Sequence, residues 1–133
     1  QRVELGGGIT VLDDSYNANP MSMRAALDEL AAGPATRRIA VLGDMLELGP
    51  GAAEFHRQVG AYASERANVL VSVGPLSAAM GEGYGGEHHH VDDATGAAEL
   101  VRGLVQPGDV VLVKASRGVG LERVVEHLRS VPA

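Results

Sequence analysis

The chain has 133 residues, 45% of them apolar and 21% charged, a composition that builds one compact soluble domain with its own core. A net charge of −6 without a basic stripe argues against a nucleic-acid partner, and three Tyr, one Phe and no Trp offer little for stacking unpaired bases. The absence of cysteine excludes disulfides and thiolate metal sites, and no apolar run reaches membrane-spanning length or resembles a signal peptide.

The chain opens on Gln1 rather than Met, which fits a piece cut from something longer. Val3-Glu4-Leu5 and Ile9-Thr10-Val11-Leu12 flank Gly6-Gly7-Gly8, which predicts an antiparallel hairpin at a sheet edge. Asn19-Pro20 then predicts a helix start, with Met23, Ala26, Leu27 and Leu30 as its buried stripe. A strand follows at Ile39-Ala40-Val41-Leu42, and Ala52, Phe55, Val59 and Tyr62 predict the apolar face of the next helix. Val69 to Val73 reads as a strand, Pro75 to Met80 as the opening of a shorter helix, and His88 to Val91 as a weaker strand. Ala94, Ala97, Ala98, Val101 and Leu104 predict a helix capped by Asp93. Val110 to Val113 is the last strand, and Leu121, Val124, Val125 and Leu128 line the final helix.

Strands apolar on both faces, alternating with helices, are the mark of a parallel sheet wound by right-handed crossovers. The expectation is one α/β domain over residues 1–133. It is Rossmann-like, with a mostly parallel sheet, flanking helices and the antiparallel hairpin at the N-terminal edge.

Such sheets bind ligands beyond the carboxyl ends of their strands, so the candidate residues stand just past each strand. Asp13-Asp14-Ser15-Tyr16-Asn17-Ala18-Asn19-Pro20 follows the first long strand. A carboxylate there can hold ribose hydroxyls or brace the loop, and with two adjacent, one role each is expected. Asn19 is assigned to the helix cap. Gly43-Asp44-Met45-Leu46-Glu47-Leu48-Gly49 follows the second, where Asp44 is either a ligand for a metal or amine or a structural brace, and Glu47 is solvated. Gly74-Pro75 is a plain turn. The last strand runs into Lys114-Ala115-Ser116-Arg117-Gly118-Val119-Gly120, of which Ser116 to Gly120 reads as a strand-to-helix turn and an anion site of free N–H groups and a guanidinium. The competing reading is a glycine turn with Arg117 on the surface, and Lys114 is either a second cation or an edge residue. His88-His89-His90 alternates faces along a strand and is not expected to be a native metal site. His56 and His127 lack partners recognisable from sequence. No Cys nucleophile or G-x-S-x-G elbow supports a hydrolase.

Three blocks carry a resemblance. Leu12 to Pro20 followed by Ser22 to Leu27, then Ala40 to Gly49 with His56 in the following helix, and finally Val113 to Gly118 with Gly120-Leu121-Glu122, resemble the signatures of the C-terminal domain of the D-alanyl-D-alanine-adding Mur ligase family. They come in the family's order and span nearly the whole chain. Two departures stand out: Ala115 where the family usually has Gly, and the Gly81 to Gly86 stretch with the His run, which lies outside the motifs.

The resemblance implies a three-domain enzyme whose N-terminal domain holds a UDP-sugar and whose central domain carries the ATP phosphate loop and magnesium ligands. No G-K-[ST] occurs in this chain, so it is expected to be inactive alone. The implied reaction phosphorylates the carboxylate of UDP-N-acetylmuramoyl-tripeptide with ATP and Mg2+, and the amine of D-alanyl-D-alanine then attacks the acyl phosphate. By position, Asp14 resembles the ribose-binding carboxylate, with Tyr16 and Asn17 near the nucleotide, while Asp44, Ser116 and Arg117 would sit nearer the dipeptide. The implied partners are those three substrates and the enzyme's other two domains, with no nucleic acid and no membrane, in the cytoplasm. Two other readings remain open. One is another amide ligase of the superfamily, such as the diamino-acid-adding Mur ligase or folylpolyglutamate synthase, which differ at Ser15 to Asn19. The other is a stand-alone Rossmann-like binding module without catalysis.

Overall fold

The computed structural model describes residues 1–130. Its strands are β1 (Arg2–Leu5), β2 (Ile9–Asp14), β3 (Arg37–Gly43), β4 (Val69–Val73), β5 (Glu87–Val91) and β6 (Asp109–Lys114). The helices are α1 (Pro20–Ala32), α2 (Ala52–Ala63), the short α3 (Met80–Gly83), α4 (Ala94–Leu104) and α5 (Glu122–Arg129). The strands form one sheet in the order β1-β2-β6-β3-β4-β5, antiparallel only between β1 and β2. The Rossmann-like reading and its edge hairpin are thus both found.

Alternation along each strand sorts the core into two layers. Val11, Ile39, Val41, Val69, Val71, Val111 and Val113 face α4 and α5. Their neighbours Leu12, Ala40, Leu42, Leu70, Val110 and Leu112 face the layer built from α1, α2 and Met80. β-Branched residues dominate the first face and leucines the second. Burial on both sides is why these strands carry no polar alternation.

Helix starts follow local chemistry. Asn19 Oδ1 accepts from the Ser22 N–H at 2.8 Å and the Asn19 N–H donates to Ser22 Oγ at 3.0 Å, a reciprocal capping box ahead of Pro20. Asp93 Oδ1 caps α4 by accepting from the Gly96 N–H at 2.9 Å. The segment Pro75 to Met80 opens as a 3-10 turn at Ser77–Ala79 before α3.

The α2 face differs from its sequence reading. The buried residues are His56, Val59, Gly60 and Ala63, whereas Phe55 is 38% exposed. A fixed close approach decides the rotation: a Cβ on Gly60 would lie 1.9 Å from the Met80 carbonyl oxygen, so α3 packs directly on the α2 backbone. Gly60→Ala is therefore expected to destabilise the fold by about 1–3 kcal/mol despite alanine's better helix propensity, as measured by chemical denaturation. An unchanged midpoint would mean that α3 slides away freely. Tyr84, just beyond α3, donates its hydroxyl to the Ala67 carbonyl at 2.8 Å, and burial pushes its phenol up to about 12.

Candidate functional site

The strand order brings the carboxyl ends of β2, β6 and β3 side by side, because β6 pairs with both neighbours. The loops after these three strands form one rim. The crossover from β5 through α4 returns the chain to the sheet centre, and this return sets Lys114 between the two other loops.

In the β2 loop, Asp13 Oδ1 accepts from Ser15 Oγ at 2.8 Å and from the Ser15 N–H at 3.3 Å, so Asp13 braces the turn. Asp14 is half exposed, and its Oδ2 accepts from Lys114 Nζ at 2.7 Å. The two residues are register partners across β2 and β6, which puts their side chains next to each other. Lys114 also donates to the Asn17 carbonyl at 2.9 Å, and its side chain is only 3% exposed. It lies on a central strand, which removes the edge-residue reading. Asn17 turns its own Oδ1 back to the Ala18 N–H at 2.9 Å.

The β3 loop is held from behind. Buried Asp44 accepts at Oδ1 from the Ser77 N–H at 2.7 Å. Gly74, at φ 103°, leaves the space its carboxylate fills: a Cβ there would sit 2.7 Å from it. Of the two roles the sequence allowed, the contacts are those of a brace, and Gly74 is more than a plain turn. His56 is fully buried, its Nε2 accepts from the Met45 N–H at 3.0 Å and its Nδ1 lies 2.6 Å from the Ala52 carbonyl. The proton therefore sits on Nδ1, and the ring pins the loop to α2. Glu47, exposed as expected, adopts the left-handed region at φ 65°, an uncommon backbone for a non-glycine residue.

The β6 loop joins the β3 loop through Ser116, whose N–H donates to the Asp44 carbonyl at 3.0 Å and whose Oγ accepts from the Leu46 N–H at 2.8 Å. Ala115 is buried, and its methyl fills the space beside Gly43. The open anion cradle expected here is narrower than the sequence suggests. Besides Ser116, the N–H groups of Val119 and Gly120 donate inside the turn, to Ser116 and Arg117 carbonyls at 3.0 and 3.3 Å. The positive charge is left to Arg117. Its guanidinium lies 4.9 Å from the Tyr16 ring centre, and its Nη1 is 3.2 Å from the Tyr16 hydroxyl.

Arg117 stands between two depressions. The larger, about 430 Å³, is lined by Gln1, Asp13, Asp14, Ser15, Tyr16, Arg117 and Glu122. The smaller, about 170 Å³, is lined by Asn17, Leu46, Glu47, Ser116, Arg117 and Gly118. The six candidate residues thus divide differently from their sequence grouping. Asp14 and Tyr16 share the larger space with Arg117, Asn17 joins Ser116 and Arg117 at the smaller, and Asp44 supports both loops from inside. The sequence reading missed Glu122 at the groove wall and the Lys114–Asp14 pair. The paired residues lie 100 positions apart, and only the β2–β6 register joins them.

The histidine run lies away from this rim. His88 Nε2 and His90 Nδ1 are 2.7 and 2.8 Å from Ser72 Oγ, and His89 Nε2 is 2.7 Å from Glu87 Oε2. Burial, followed by the neighbouring His90 and His89, holds the His88 imidazole below its ordinary pKa. Among the described residues, no three His, Asp or Glu side chains gather as for a metal ion.

The chain matches the family described as Mur ligase, glutamate ligase domain over residues 1–117. It is 43% identical to the UDP-N-acetylmuramoyl-tripeptide--D-alanyl-D-alanine ligase of Mycobacterium bovis, over 92% of this chain and 29% of that protein. The Bacillus subtilis protein of the same name is 36% identical over 98% of this chain and 30% of its own length. The MurF ligase from Thermotoga maritima, solved in complex with ADP, superposes with a TM-score of 0.83 at 30% identity, covering 96% of this chain and 29% of that one. MurF from Acinetobacter baumannii gives a TM-score of 0.88 at 28% identity, over 98% and 29%. The chain therefore spans less than a third of the length of these relatives. With the signature loops gathered on one rim and the family match running through them to Arg117, this chain belongs to the Mur ligase, glutamate ligase domain family.

Proposed function

We propose that this chain is the C-terminal domain, residues 1–133, of an ATP-dependent ligase that joins D-alanyl-D-alanine to UDP-N-acetylmuramoyl-tripeptide in peptidoglycan synthesis. The observation that carries the reading is the likeness, over more than nine-tenths of this chain, to ligases named for that tripeptide and dipeptide. On this reading two further domains supply the UDP-sugar site, the phosphate loop and the magnesium ligands, and ATP activates the tripeptide carboxylate as an acyl phosphate. We assign the reaction to the cytoplasm. No described helix is long and apolar enough to cross a membrane.

This chain's own part is binding and orientation. Asp14 offers a carboxylate to ribose hydroxyls in the larger depression, beside the exposed Tyr16 ring. Arg117, with Ser116 and Asn17, faces the smaller one, where a guanidinium can take the dipeptide carboxylate through two parallel hydrogen bonds. Asp44, named with them from the resemblance, serves this site by holding the β3 loop in place.

Two assays test the proposal. The full-length protein, given UDP-N-acetylmuramoyl-tripeptide, ATP and D-alanyl-D-alanine, is expected to release ADP and phosphate only when both peptide substrates are present. The 133-residue chain alone is expected to turn over no ATP, since phosphoryl transfer depends on a phosphate loop and metal that its sequence does not encode. Dipeptide-independent turnover by the full-length protein, or turnover by the purified chain, contradicts the reading.

A further inference from the structure

We propose that Lys114 is the positioning residue for the Asp14 carboxylate, an inference that rests on the reading of the larger depression as a nucleotide site. Lys114 is the most buried cation of the rim, 3% exposed, and an ammonium there is tolerable only with its charge and donors satisfied. Two of its three N–H donors are used, one on Asp14 Oδ2 at 2.7 Å and one on the Asn17 carbonyl at 2.9 Å. A single buried group thereby fixes both ends of the segment that carries Tyr16. Among the described residues Asp14 Oδ1 has no hydrogen-bond partner, so one carboxylate oxygen is anchored and the other is left for a ligand.

The arrangement does two things for a nucleotide. It freezes the carboxylate before binding, removing an ordering cost that the ligand would otherwise bear. It also offsets the negative charge of Asp14 in a depression that Asp13 and Glu122 share with Arg117, which lowers the repulsion a polyanionic ligand would meet there. The register pairing of Asp14 with Lys114 makes the contact a fixed property of the sheet rather than of a mobile loop.

A double-mutant cycle in the full-length ligase, read by calorimetric ADP binding and by melting temperature, tests this. Asp14→Ala should weaken ADP binding roughly ten- to a hundred-fold and lower the melting temperature, because it strands a buried ammonium. Lys114→Met, similar in length and without charge, should weaken ADP binding about two- to tenfold while leaving the melting temperature near that of the parent. Lys114→Gln keeps an N–H donor group without the charge and should fall between Lys114→Met and the parent. In the double variant, Lys114→Met should add no further loss of affinity and should restore the melting temperature lost with Asp14→Ala. If ADP affinity is untouched by Lys114→Met but lowered by Asp14→Ala, the positioning role is wrong and the nucleotide site stands. Losses that multiply in the double variant mean that Lys114 touches the nucleotide itself, which also overturns the proposal. An Asp14→Ala variant with parental affinity removes the nucleotide reading, and the positioning role with it.

Discussion

His56→Ala is expected to destabilise the fold by about 3–5 kcal/mol, the largest loss of stability anticipated for one side chain of the rim. Two costs add. The ring is fully buried on the inner face of α2, so truncation leaves a cavity lined by well-packed neighbours. It also strands the Met45 N–H, which has His56 Nε2 as its acceptor at 3.0 Å. The damage should reach the site, because the next residue, Leu46, donates to Ser116 Oγ and the preceding one, Asp44, accepts from the Ser116 N–H. His56→Gln, whose amide oxygen can accept the same bond, should recover part of the stability. Urea denaturation of the three proteins decides the matter. A loss below about 1 kcal/mol for the alanine variant would reduce His56 to filler.

Arg117→Ala in the full-length ligase should raise the Michaelis constant for D-alanyl-D-alanine roughly thirtyfold or more and that for ATP little. Truncating one member of a desolvated charge pair costs about 2–5 kcal/mol when the site closes over its ligand. The structure sharpens the reason. With the N–H groups of Ser116, Val119 and Gly120 engaged inside the fold, the guanidinium carries the positive charge that the loop can offer. Arg117→Lys should restore only part of the loss, since an ammonium cannot make the paired contact or stack on Tyr16 as the planar group does. Because Arg117 also borders the larger depression, the rival assignment gives it to a nucleotide phosphate and reverses the pattern. A selective rise in the constant for ATP would therefore sink the dipeptide assignment.

Much of this protein was legible in the residues because its determinants are local. A helix cap needs only neighbours, so Asn19-Pro20 with Ser22, and Asp93 with Gly96, could be read directly. Strands buried on both faces announce themselves as continuous apolar runs, and the glycine triplet between Leu5 and Ile9 marked the hairpin. The three loops could be placed on one rim because a parallel sheet puts the ends of its strands on one side.

Which faces and partners those residues take was decided by tertiary structure. The apolar pattern of α2 placed Val59 in the core and Tyr62 at its margin, but the direct backbone contact at Gly60 and the two hydrogen bonds of His56 centre the buried stripe on His56, Gly60 and Ala63 and leave Phe55 outside. Asp44 read evenly as ligand or brace until Ser77 and Gly74 came in beside it from the next strand's turn. Lys114 and Asp14 meet only because α4 carries the chain back across the sheet and inserts β6 between β2 and β3. A cap or a strand is settled by residues a few positions apart. A buried charge is settled by whatever the strand order sets beside it, and no local pattern records that order.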